Sequence, residues 1–257
     1  MGPHHLMTRE ESCSPQSHNI GGLLVRSATP TTAARDVIHS ALAGPARHFH
    51  LVNAYSTVCA AEDPNVAASL RGAATNYPDG KPLYWIGRFM RRDRNFSQVR
   101  GPGLFQEVIF RSTPEIRHFF LGATPEVLSE LERAVKRLNP QINIVGLDSP
   151  PYSAADRFEW NRRNEAINAS DANLVWVGLG TPKQDLEAQR LTEETMITTV
   201  AVGAAFDFLA GNTKEAPVWM QKAGFEWLFR LLSEPRRLWR RYLLGNIKFI
   251  ILTFRRG

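Results

Sequence analysis

The chain has 257 residues, with 31 Lys+Arg against 25 Asp+Glu, a formal net charge of +6, and 43% hydrophobic and 22% charged residues. This balance suits one large globular domain or two small ones and excludes disordered, collagen-like and disulfide-scaffold classes. Two cysteines, Cys13 and Cys59, point to a reducing compartment, and with neither a bilayer-length apolar run nor a secretory h-region a cytoplasmic protein is expected.

Residues 1–20 read as a disordered leader. Gly22–Ser27 follows as a short strand and Thr31–Leu42 as a helix capped by Thr31 and Thr32. Phe49–Ala54 has the composition of a buried strand, Ser56–Ala61 and Pro64–Arg71 are helical, and Pro78–Gly80 is a turn by its chemistry. Lys81–Met90 and Leu104–Phe110 read as helices, Arg117–Gly122 as a strand, and Pro125–Leu138 as a helix with proline at its first position. Strand Ile142–Gly146, helix Ala155–Asn168, strand Leu174–Gly178, helix Pro182–Leu191 and strand Ile197–Val202 complete the alternation. Short apolar strands separated by helices predict a doubly wound, Rossmann-like α/β fold, with a mostly parallel sheet covered by helices on both faces. Ligands of such sheets bind beyond the carboxyl ends of the strands, which directs attention to the loops at Asn53, Asp79, Gly178–Gln184 and Val202–Asp207.

The charge is unevenly distributed. From Lys222 to the end there are nine Lys/Arg and two acids, a surplus of seven, which leaves −1 for everything before it. On a helical projection Arg237, Arg240, Arg241 and Lys248 fall on one arc, with Trp239, Tyr242, Leu243 and Phe249 opposite. A helix packed on the body, an interfacial helix on an anionic membrane and a nucleic-acid contact all fit that composition. A helical, basic C-terminal appendage is therefore expected over residues 213–257, after a core over 21–212.

Gly178–Gln184 (GLGTPKQ) follows a strand and opens a helix. Gly178 and Gly180 would let a phosphate approach the backbone, and Lys183 and Gln184 could bind it, although an ordinary tight turn has the same form and the third glycine of a dinucleotide fingerprint is absent. Asp79 reads locally as a good turn former, and alternatively as a carboxylate placed to take a proton from a hydroxyl. Asn53 is either a loop brace or a substrate contact. No Asp-x-Asp and no Cys/His set at ligand spacing occurs, so no metal site and no cofactor are expected.

Taken together, Ala201–Gly211 (AVGAAFDFLAG), Ala216–Gln221 (APVWMQ), Phe225–Arg230 (FEWLFR), Glu234–Tyr242 (EPRRLWRRY) and Asn246–Phe249 (NIKF) resemble the closing signature of the bacterial WecG/TagA/CpsF glycosyltransferases. Asp63-Pro64, Tyr77–Gly80 (YPDG) with Pro82 and Trp85, and GLGTPKQ resemble its earlier motifs. The resemblance runs from about residue 22 to the end. It implies metal-independent, inverting transfer of a sugar from a UDP-sugar to a polyprenyl-diphosphate-linked saccharide, by an enzyme peripheral on the cytoplasmic face of the cell membrane, with no nucleic-acid partner and with homo-oligomers as an option. By motif position it makes Asp79 the general base and Asn53 an active-site amide. Gln184 and Asp207 become nucleotide-sugar contacts, with Gly178, Gly180 and Lys183 alongside, and Arg230, Arg237 and Arg240 the cations that face the leaving diphosphate. The chain departs from the family pattern at Leu51, where threonine is usual, and at Gln98–Leu104 (QVRGPGL), where Arg100 is the one arginine. Asp185 and Glu187 also stand where Glu and Trp are usual. A nicotinamide-dependent oxidoreductase built on the GxG turn, and a non-catalytic nucleotide-binding adaptor, are the alternative readings.

Overall fold

A computed structural model of the chain describes residues 16–94, 96–151, 157–239, 242–243 and 245–256, with the side chains of Arg237, Arg255 and Arg256 left aside. The expected leader up to residue 15, and Arg240 and Arg241, lie outside the described residues. Strand β1 (Ser17–Ile20) pairs antiparallel with β2 (Leu23–Arg26) across Gly21 and Gly22, whose positive φ values suit the tight reversal. Ile20, Leu23 and Val25 are almost fully buried, which is why the last residues of the expected leader are ordered structure. Neither strand joins the parallel sheet.

Helix α1 (Pro30–Leu42) begins one cap earlier than expected. Thr29 accepts from the Thr32 amide while the Thr32 hydroxyl accepts from the Thr29 amide, a reciprocal capping box. The wholly buried β3 (His48–Val52) follows, then α2 (Ala54–Glu62), α3 (Pro64–Ser69) and β4 (Thr75–Pro78). No strand is expected at β4, whose Asn76 and terminal Pro78 are poor strand formers. Burial of the whole strand, with two hydrogen bonds from the Asn76 amide to the Leu24 and Leu70 carbonyls, overrides that propensity. The expected single helix after the turn divides into α4 (Lys81–Trp85) and a π-helical turn, Ile86–Met90.

The remaining elements are α5 (Gly101–Arg111), β5 (Arg117–Gly122), α6 (Pro125–Leu138), β6 (Asn143–Asp148), α7 (Arg157–Ala169), β7 (Leu174–Gly178), α8 (Lys183–Thr195), β8 (Thr198–Ala201) and α9 (Ala205–Leu209). Then come α10 (Val218–Ala223), α11 (Glu226–Ser233), α12 (Pro235–Trp239) and α13 (Gly245–Arg256). Among the described residues, six strands make an all-parallel sheet in the order β4-β3-β8-β7-β5-β6. Helices α1, α5, α6 and α9 pack together on one face, and α2, α3, α7, α8 and α13 are in contact on the other. The first face holds a core around Phe105, Phe120, Trp176 and Phe206. The fold is the doubly wound α/β class that the alternation predicts. Helix α13 is part of it, because Phe249 is 3% exposed and joins the core beneath α2.

Candidate active site

Parallel pairing puts the carboxyl ends of all six strands on one rim, so Asn53, Asp79, Gly122, Asp148, Gly178 and Val202 end up on the same side of the molecule. A cleft of about 710 Å³, counted to its open mouth, lies over the ends of β3 and β4. The core lines it with Asn53, Asp79, Lys81 and Gln98, and the C-terminal segment closes it with Gln221, Glu226, Trp227, Arg230, Tyr242 and Asn246.

Asp79 is held by its backbone. Its N–H donates to the Val52 carbonyl at 2.7 Å, which locks the turn after β4 to the end of β3, and Gly80 takes φ 93°, a conformation favouring glycine. The half-buried carboxylate thereby faces the same space as Asn53. Asn53 Oδ1 accepts from the amides of Tyr55 and Ser56 at 3.0 and 3.2 Å and caps α2, so the brace reading holds for that oxygen. Its amide nitrogen is the group left to meet a ligand.

Arg230 lines the cleft with its guanidinium 5.5 Å from the centre of the Phe208 ring, so a cation from α11 is seated on an aromatic of α9. Trp227 and Tyr242 meet at 6.1 Å and form an aromatic wall. Partial burial holds the Lys81 ammonium below the ordinary lysine value; Glu226 opposes this shift and Arg100 adds to it. Lys81, Gln98 and Glu226 were given no role from sequence, though Lys81 follows the Asp79 turn by two residues and Glu226 sits inside the FEWLFR motif.

Arg100 does not line the cleft but anchors its lid. It donates to both Glu226 oxygens at 3.1 and 3.0 Å, to Gln221 Oε1 at 2.7 Å and to Glu215 Oε2 at 2.9 Å. Burial alone would lower its pKa, but the hydrogen bonds and charges of Glu226 and Glu215 outweigh that and raise it. A guanidinium so committed is a structural tie between core and C-terminal segment.

The second group of expected site residues lies further along the rim, outside this cleft. Gly180 takes φ 77° with open space around its Cα, while a Cβ on Gly178 would sit 2.7 Å from the Phe206 ring. Gln184 is 3% exposed, and its Oε1 accepts from the Gly180 amide at 3.0 Å. The Gln184 amide in turn donates to the Gly180 carbonyl, so these two amides are satisfied within the loop. Lys183 is exposed at the start of α8. Asp207 accepts from the Asn212 side chain through its carboxylate and from the amides of Asn212 and Thr213 through its carbonyl, closing the turn after α9. Arg237 is in α12 with its side chain undescribed, and Arg240 is outside the described residues.

The departures have partners. Leu51 is buried, and its side chain fills the space next to Gly101. Asp185 is buried against His50, 3.0 Å from Nδ1, and Glu187 is gripped by Arg163 and Arg190.

A family model described as the glycosyl transferase WecG/TagA/CpsF family matches residues 18–257. The chain belongs to this family. That membership makes the enzyme a glycosyltransferase and displaces the oxidoreductase reading of the GxG turn. Among the described residues, no helix of the transferase is long and apolar enough to cross a membrane.

Proposed function

We propose that the enzyme is an inverting, metal-independent transferase that moves a hexose or N-acetylhexosamine from a UDP-sugar to a polyprenyl-diphosphate-linked saccharide in cell-surface polysaccharide synthesis. The observation that carries the reading is the cleft in which Asp79 and Asn53 of the core meet Arg230 of the C-terminal segment. The Asp79 carboxylate takes the proton of the acceptor hydroxyl as its oxygen attacks the anomeric carbon. The bond from that carbon to the diphosphate oxygen breaks on the opposite side, and UDP leaves with the electron pair. Arg230, with Arg237 and Arg240 from the following segment, offsets the charge that develops on the diphosphate. Gly178, Gly180, Lys183, Gln184 and Asp207 form the rim toward which the nucleotide extends, and the basic C-terminal segment faces the anionic inner leaflet.

A panel of UDP-sugars incubated with a short-chain polyprenyl-diphosphate saccharide, with UDP release followed by chromatography, tests this reading. Asp79→Asn should lower turnover by roughly 100-fold or more while leaving the affinity for UDP unchanged. Undiminished turnover in that variant would remove Asp79 from the chemistry. Arg230→Ala should lower turnover by about 100-fold.

A further inference from the structure

The segment joining the cleft to the β1–β2 hairpin is built with its apolar side chains pointing the wrong way for a soluble surface. Its underside is tightly fixed. Ile86 and Gly87 are buried, a Cβ on Gly87 would lie 2.3 Å from the Phe96 ring, and Phe96 is 1% exposed. Asp93 is buried and bonded to His18 at 2.8 Å, and Arg91 Nη2 donates to the Asn19 carbonyl at 3.2 Å. On this anchored frame Phe89 is 66% exposed and Met90 58% exposed. Arg91, Arg92 and Arg94 are exposed beside them, and Asp93, the one acid between, is turned inward to His18.

The segment is continuous with the mouth of the cleft. Helix α4 starts at Lys81, which lines the cleft, and half-exposed Trp85 packs where a Cβ on Gly224 would be 3.2 Å from its ring. On either side of Gly224 the C-terminal segment exposes Trp219 and Phe225. We infer that Trp85–Arg94 is a lipid-contacting element carried by the core itself: Phe89 and Met90 enter the headgroup region of an anionic leaflet, and Arg91, Arg92 and Arg94 meet its phosphates. Apolar tips flanked by cations of a single sign match such a surface in both respects. A symmetric pairing of two copies through this face would set the same arginines against each other, so the bilayer is the better complement.

This inference deepens the membrane partner named above, and it uses none of the transfer chemistry. Its test needs no sugar substrate. In the full chain with Cys13→Ser and Cys59→Ser, Phe89→Cys is labelled with an environment-sensitive fluorophore and titrated with vesicles of phosphatidylglycerol and phosphatidylcholine. Emission should shift to the blue with these vesicles and stay unchanged with phosphatidylcholine alone. Replacing Arg91, Arg92 and Arg94 with Gln should weaken binding to the anionic vesicles by roughly 100-fold, with the far-ultraviolet spectrum unchanged. If a probe placed by Phe254→Cys shifts while the one at position 89 does not, the C-terminal segment alone makes the contact and the inference fails. A concentration-dependent shift at position 89 without lipid would assign the face to a second copy and also overturn it. Either failure leaves the Asp79 experiment standing.

Discussion

Arg100 donates to three side chains of the C-terminal segment, so one residue at the start of α5 decides whether the lid stays on the cleft. Arg100→Gln should reduce hydrogen-exchange protection over residues 215–230 by about 2 kcal/mol, the scale for losing charged hydrogen bonds at a half-buried site. Unchanged protection there would show that α10 and α11 are held by packing alone. Two buried histidines set a different limit. Burial, with a smaller contribution from His50, lowers His48 to about 4, and burial lowers His118 to about 3. His118 Nδ1 accepts from the Trp176 indole at 3.0 Å, and a second ring proton would remove that acceptor. Because both folded-state values lie below the unperturbed 6.5, the unfolded chain binds these protons first. The stability they support is whole above that value and is lost as pH falls, toward about 4 for His48 and about 3 for His118. Denaturant titrations should lose roughly 2–3 kcal/mol between about pH 7 and about pH 5.5 from this pair.

At the scale of elements, the glycine-rich turn after β7 separates two roles that look identical in the sequence. Gly178→Ala drives a Cβ into the Phe206 ring and should cost about 1–3 kcal/mol in chemical denaturation. Gly180→Ala meets open space, and its cost of about 1 kcal/mol comes from the positive φ alone. The strands β3, β5, β7 and β8 were legible because each is a short apolar run in a chain that alternates with helices. β4 was not, since its Asn76 and Pro78 are tolerated only where the fold supplies carbonyl partners and an edge position. The cap of α1 was misplaced by two residues because Thr29, Thr31 and Thr32 are equivalent until the backbone shows which hydroxyl faces the free amides.

For the whole molecule, the uneven charge marks a basic C-terminal segment, but α13 is more than an appendage. Phe249 is buried beneath α2, and Phe249→Ala should destabilise the entire protein by about 3–5 kcal/mol in a thermal or denaturant melt. A single unchanged transition would instead mean that α13 docks only loosely. The sequence by itself determined the class of fold, the motifs that identify the family, the location of Asn53 at a strand end and that of Asp79 in a tight turn, since these follow from hydrophobic period, turn chemistry and short-range spacing. Only the tertiary structure decided that Arg230 shares a cleft with Asp79 while Gln184 and Asp207 brace loops further along the rim. It also decided that Arg100 grips three residues more than a hundred positions away, and that Phe89 and Met90 point outward. Those outcomes depend on contacts between distant parts of the chain, and on which face of each element the core claims first, and neither is written in local periodicity.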